Sequence, residues 1–87
     1  MPYTVEVGRK VRKFLVALPD RKLRARLQEA IAGLADTPRP PGCLKMKGEE
    51  ALYRIRVGDY RIIYQIQDAM LVVLVVQIGN RREIYRE

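Results

Sequence analysis

Arg54, Arg56 and Arg61 carry the strongest chemical signal in this 87-residue chain. They lie in the segment Tyr53 to Tyr64, YRIRVGDYRIIY, whose two-residue alternation is that of a β-hairpin. Gly58-Asp59 is a two-residue turn signal with glycine first, as a type II′ turn prefers. With those two residues as the loop, Val57 lies opposite Tyr60, Arg56 opposite Arg61, Ile55 opposite Ile62, Arg54 opposite Ile63 and Tyr53 opposite Tyr64. One face then carries Tyr53, Ile55, Val57, Tyr60, Ile62 and Tyr64, a plausible core, and the other gathers the three arginines. Like charges directly opposite one another destabilise a sheet, so folding alone does not account for Arg56 facing Arg61. Two readings fit: a solvated strand face whose arginines splay into water, or a docking face for a polyanion.

The elements that position this hairpin follow from the remaining pattern. Tyr3 to Val7 alternates as a short strand. Val11, Phe14, Leu15 and Leu18 recur at the spacing of an amphipathic helix, which Pro19-Asp20 breaks. Asp20 is placed to cap a second helix with the stripe Leu23, Leu27, Ala30, Ile31 and Leu34. Arg21, Lys22, Arg24 and Arg26 fall on its wet side and read as a solvated face, with nucleic-acid contact as the other reading. Thr37 to Gly42 (TPRPPG) is a stiff linker, because its prolines cannot continue a helix. Lys45-Met46-Lys47-Gly48 leads into the hairpin, and a turn around Gln67-Asp68-Ala69 follows it. Leu71 to Ile78 (LVVLVVQI) reads as a central strand buried on both faces. Gly79 to Arg82 breaks it, and Glu83 to Arg86 is a candidate for a last edge strand. The expected fold class is α+β, in the order β-α-α-β-β-β. An N-terminal strand and a two-helix hairpin pack on one face of a small, mainly antiparallel sheet, and the open face holds the arginines.

Composition bounds the function. The length fits a single domain spanning residues 1–87, with one core. Lys and Arg number 17 against 10 Asp and Glu, giving a net charge of +7 that favours anionic partners: nucleic acid, an acidic protein segment or a membrane surface. The chain has no His, which removes Ser-His and Cys-His nucleophile pairs, and with one cysteine a zinc site is not expected. Cys43 excludes an internal disulfide and fits a reducing compartment. The N-terminal residues lack the order of a signal peptide, and the apolar run Leu71 to Val76 is too short to span a bilayer, so a cytoplasmic location is expected.

From PRPPG through KMKG, YRIRVGDYRIIY, the apolar strand and GNRREIY, the chain resembles the RelE/ParE superfamily of type II toxin–antitoxin toxins over nearly its whole length. Within it the resemblance is to the RelE branch, whose members cleave messenger RNA in the ribosomal A site. The ParE branch poisons DNA gyrase and lacks the catalytic basic residues. The resemblance implies a RelE-like microbial ribonuclease-type fold and endoribonuclease activity without cofactor or metal. As partners it implies a RelB-like antitoxin in a hetero-oligomer, the ribosomal A site and messenger RNA.

Position by position, the resemblance maps the RelE site onto Arg54, Arg56, Arg61, Arg81 and Tyr85, with Lys47 as an RNA contact; Lys45 and Arg82 beside these positions are also expected to bind RNA. Cleavage without metal needs an activated ribose 2′-hydroxyl, a stabilised phosphorane-like transition state and a protonated 5′-oxygen. Clustered cations supply the second of these by electrostatic preorganisation. Arg54 and Arg56 are assigned to substrate and transition-state binding, Arg61 to the scissile phosphate and Arg81 to the leaving group. Tyr85 is assigned to base stacking. Well-known relatives carry lysines where this chain has Arg54 and Arg56, and arginine gives up its proton far less readily, so the pair suits charge stabilisation better than base work. Asn80 stands where many relatives have His. Two other readings stay open: a gyrase-binding ParE-like toxin, and a weakly active homologue serving as antitoxin partner and corepressor.

Overall fold

A computed structural model describes residues 2–48 and 51–80. The chain order is β1 (Thr4–Val7), α1 (Arg9–Ala17), α2 (Arg21–Gly33), β2 (Leu44–Lys45), β3 (Leu52–Val57), β4 (Tyr60–Gln67), a 3-10 turn (Asp68–Met70) and β5 (Val72–Asn80). The strands form one sheet in the order β1-β5-β4-β3-β2. β1 runs parallel to β5, and the other neighbouring pairs are antiparallel. The expected α+β arrangement therefore holds, with one strand more than the pattern shows. That strand, β2, is two residues of sheet edge and too short for any periodicity. The edge-strand candidate at Glu83 to Arg86 lies outside the described residues. No helix among them is long and apolar enough to cross a membrane.

Both helices form where the apolar spacing places them. The Gly8 amide donates to the Val75 carbonyl at 2.8 Å, and a Cβ at this position would lie 3.0 Å from that oxygen. Glycine thus lets the chain leave β1 directly over β5 and enter α1. Asp20 caps α2 by accepting a hydrogen bond from the Leu23 amide at 3.1 Å. Val11 and Leu15 of α1, with Leu27, Ile31 and Leu34 from α2 and its end, are buried against Ile62, Tyr64, Ile66, Val73, Val75 and Ile78 of the sheet.

β5 corrects one expectation. It is paired on both edges, but the helices cover only one of its faces: Val73, Val75 and Ile78 are buried, Val72 and Leu74 are half-buried, and Val76 is 40% exposed. A register shift explains the odd spacing. Ile63 pairs with Gln77 and Tyr64 with Val75, leaving Val76 as an extra residue, a β-bulge. The bulge moves the inward phase by one residue, so that Ile78 joins Val73 and Val75 on the core side, opposite Ile62.

The proline linker is pinned rather than free. The Tyr64 hydroxyl donates to the Pro38 carbonyl at 2.8 Å. Arg39 reaches both Asp68 carboxylate oxygens, at 2.9 and 3.4 Å. Its Nε donates to the Tyr53 hydroxyl at 3.2 Å, and its guanidinium lies 5.1 Å from the Tyr53 ring centre. The Tyr3 hydroxyl donates to Asp68 at 2.6 Å, so one carboxylate ties β1, the linker and the β4–β5 turn together. Hydrogen bonds from Arg39, then Tyr3, hold the Asp68 carboxyl below its ordinary value of 3.8. That contribution to stability is complete above the unfolded carboxyl's pKa and is lost as pH falls through the depressed folded value. Asp68→Asn should therefore flatten the decline of melting temperature below about pH 4. A variant whose acid limb matches wild type would show that the clasp does not form in solution.

Candidate functional site

The hairpin register is the one read from the sequence, with Val57 opposite Tyr60, Arg56 opposite Arg61, Ile55 opposite Ile62, Arg54 opposite Ile63 and Tyr53 opposite Tyr64. Gly58 has φ +61°, while Asp59 has no positive φ, which matches a type II′ rather than a type I′ loop. Tyr53, Ile55, Val57 and Tyr60 pack against the buried core with Ile62 and Tyr64 inside it. The Tyr60 ring meets Phe14 of α1 edge-on, at 5.8 Å between centres. The hairpin is thereby anchored through one face, and its arginines are carried on the other.

Arg54, Arg56 and Arg61 line a single depression of ≈ 210 Å³ together with Gly42, Leu44 and Ile55. Arg54 and Arg61 are half-buried and Arg56 is exposed. The Arg56 Nε donates to the Gly58 carbonyl at 3.1 Å, a bond that turns this guanidinium toward the hairpin tip and eases the like-charge pairing with Arg61. Across β4, Arg61 stands opposite Gly79, a position with no side chain to fill the space. Among the described residues, no Asp or Glu lines the depression. A cradle of guanidinium groups is suited to a phosphate and to the extra negative charge of a pentavalent transition state.

Two lining residues, Gly42 and Leu44, were not singled out by the sequence. Both reach the depression because the linker before them is pinned at Pro38 and Arg39, through contacts spanning 26 and 29 residues that leave no local pattern. Leu44 pairs with Arg54 and is 54% exposed, so it offers an apolar wall beside the cations. The same register fixes the position of Lys45. It stands opposite Tyr53, and alternation sends it to the face away from the arginines. Lys47 is exposed in the turn before Gly48 and does not line the depression. Arg81, Arg82 and Tyr85 lie outside the described residues.

Comparison with known proteins agrees with this architecture. A family model described as the ParE toxin of type II toxin–antitoxin systems, parDE, matches residues 5–85. The chain belongs to this family, within the RelE/ParE superfamily. It is 33% identical over 86 residues to toxin RelG of Mycobacterium tuberculosis, covering 99% of each chain. It is 30% identical over 69 residues to the mRNA interferase toxin RelE of Escherichia coli K12, covering 75% of this chain and 72% of that one. Its structure superposes on RelE in the RelE–RelB complex of Pyrococcus horikoshii with a TM-score of 0.81, at 31% identity, over 93% of this chain and 97% of that one.

The placement of the arginines separates their structural roles. Arg56→Ala should shift unfolding free energy by about 0.5 kcal/mol or less, as an exposed residue set against a like charge. Arg61→Ala should cost about 1 kcal/mol, because its stem is partly covered by neighbours. Urea unfolding of the two variants checks this, and a larger loss for Arg56 than for Arg61 would contradict the burial described here.

Proposed function

We propose that this chain is the toxin of a type II toxin–antitoxin pair, a ribosome-dependent endoribonuclease that cuts messenger RNA in the ribosomal A site and is held inactive by a RelB-like antitoxin. The observation that carries this reading is the convergence of Arg54, Arg56 and Arg61 on one depression, on the sheet face the helices leave uncovered. Similarity to an mRNA interferase toxin and to a RelE that forms a complex with RelB supports it. In the proposed reaction the ribose 2′-oxygen attacks the adjacent phosphorus, the bond to the 5′-oxygen breaks, and the departing oxygen takes a proton. Arg61 holds the scissile phosphate, Arg54 and Arg56 stabilise the charge gathering on it, Arg81 steadies the leaving group, and Tyr85 stacks on a base. Lys47 and Arg82 contact the RNA strand. Lys45, on the far side of β2, is left out of the message contacts.

The family model carries the ParE description, so poisoning of gyrase is the second reading, and one experiment separates the two. Expressed alone, the protein should arrest translation and leave cuts in messenger RNA phased with the A site, mapped from RNA 5′ ends. Arg61→Ala and Arg81→Ala should each lower cleavage by at least ~100-fold, the scale of losing one transition-state donor. Intact messages beside gyrase-dependent DNA breaks would establish the ParE-like activity instead.

A further inference from the structure

The clasp on the proline linker is more elaborate than its place in the fold requires. The one salt bridge that joins two described residues, Arg39 to Asp68, has both side chains about half exposed, at 46% and 57%. Exposed pairs of this kind contribute little to folding. All three guanidinium nitrogens of Arg39 are nonetheless engaged, two by Asp68 and Nε by the Tyr53 hydroxyl. Asp68 in turn accepts from the Tyr3 hydroxyl. A planar fork that is bidentate on a carboxylate and laid along an aromatic ring fixes a direction as well as a distance. What it fixes here is residue 39 of the linker, relative to β3 and to the turn between β4 and β5.

The chain between this clasp and the arginine depression is built to pass that position on. The Cys43 amide donates to the Pro40 carbonyl at 3.0 Å, with Pro41 and then Gly42, at φ +90°, in the two central places, as in a type II turn. Each proline fixes its own φ and the turn fixes the residues after it, so the stretch from Arg39 to Leu44 acts as a lever with little slack. At its far end Leu44 pairs with Arg54 through a strand of two residues. So short an edge pairing is a weak hold by itself, with few contacts to resist local opening. Gly42 and Leu44 are the wall of the depression that holds Arg54, Arg56 and Arg61. The linker's other anchor, the Tyr64 hydroxyl on Pro38, lies one residue further from that wall.

We propose that Arg39 is a positioning residue for the arginine site: its grip on Asp68, carried through the proline turn, holds Gly42 and Leu44 where they confine the scissile phosphate among the three arginines. The proposal rests on the ribonuclease reading for the reaction it serves. The test uses the full chain, message-programmed ribosomes for cleavage, and the chain's single cysteine, half-buried within the lever, as an independent reporter of the linker. Arg39→Gln should melt close to wild type, because the pair it breaks is exposed. It should raise the rate at which Ellman's reagent labels Cys43, as the linker opens. It should also lower kcat by roughly 10–100-fold with KM little changed, the scale of a slight misplacement of reacting groups. Arg39→Lys, which keeps the charge and loses the fork, should fall between the two. In a Leu44→Ala background, where the wall is already cut back, Arg39→Gln should lower kcat by less than ~3-fold further, because the two residues act through one element. An Arg39→Gln protein that labels or cleaves like wild type would overturn the proposal. So would effects of Arg39→Gln and Leu44→Ala that multiply in full, which would make Arg39 a support of the fold at large. If wild type cuts no message, the ribonuclease reading fails together with the catalytic role, and Cys43 labelling still decides whether the clasp holds the wall.

Discussion

One extra residue in β5 decides which side of the sheet every later side chain faces. Without the bulge at Val76, the alternation that buries Val73 and Val75 would turn Gln77 inward and expel Ile78. With it, Ile78 meets Ile62 in the core, and Gly79 falls opposite Arg61 on the open face. A one-residue change of register flips a strand from face to face, so the core and the arginine depression depend on the same irregularity. Removing the bulge would cost burial of one large side chain, about 1.5–3 kcal/mol, and would also place a side chain where Arg61 now faces glycine.

The second constraint acts from outside the hairpin. A proline-rich linker is stiff, but stiffness alone does not choose a direction. Here the direction comes from Tyr64, which donates to Pro38 from within the core, and from Arg39, which grips Asp68 and lies against Tyr53. Tyr53 and Tyr64 face one another across β3 and β4, with ring centres 6.1 Å apart. Burial pushes the Tyr64 phenol well above its ordinary value, which keeps the hydroxyl protonated and able to donate. The apolar side of the hairpin thus fixes the linker, and the linker supplies the Gly42–Leu44 wall on the side where the arginines stand.

These dependencies explain which parts of the molecule were legible in the sequence. The hairpin register could be read residue by residue, because a period of two and a Gly-Asp loop leave a single consistent pairing. Both helices and the Asp20 cap were legible for the same reason, a local pattern with local chemistry. The run LVVLVVQI gave no alternation from which a bulge could be inferred, so its strand read as buried on both faces. β2 is two residues long, and the face of Lys45 could not be assigned without its pairing to Tyr53. The contacts of Arg39 and Tyr3 with Asp68 join residues far apart in the chain, and nothing near any of them marks the partner.

The distribution of charge bears on how a site made of arginine can work. Three guanidinium groups in one depression repel one another; the fold exposes Arg56 and ties it to the Gly58 carbonyl, and Arg61 faces a glycine across β4. Arginine holds its proton firmly, so this cluster contributes fixed positive charge rather than proton exchange. Fixed charge lowers a barrier only to the extent that the reacting phosphate becomes more negative in the transition state than it was in the ground state. That condition is met in attack by a 2′-oxygen, where charge builds on the phosphoryl oxygens as the new bond forms. It also demands that the phosphate arrive already positioned, because the arginines cannot compensate for misalignment by moving a proton. In the proposed reaction that positioning comes from the ribosome.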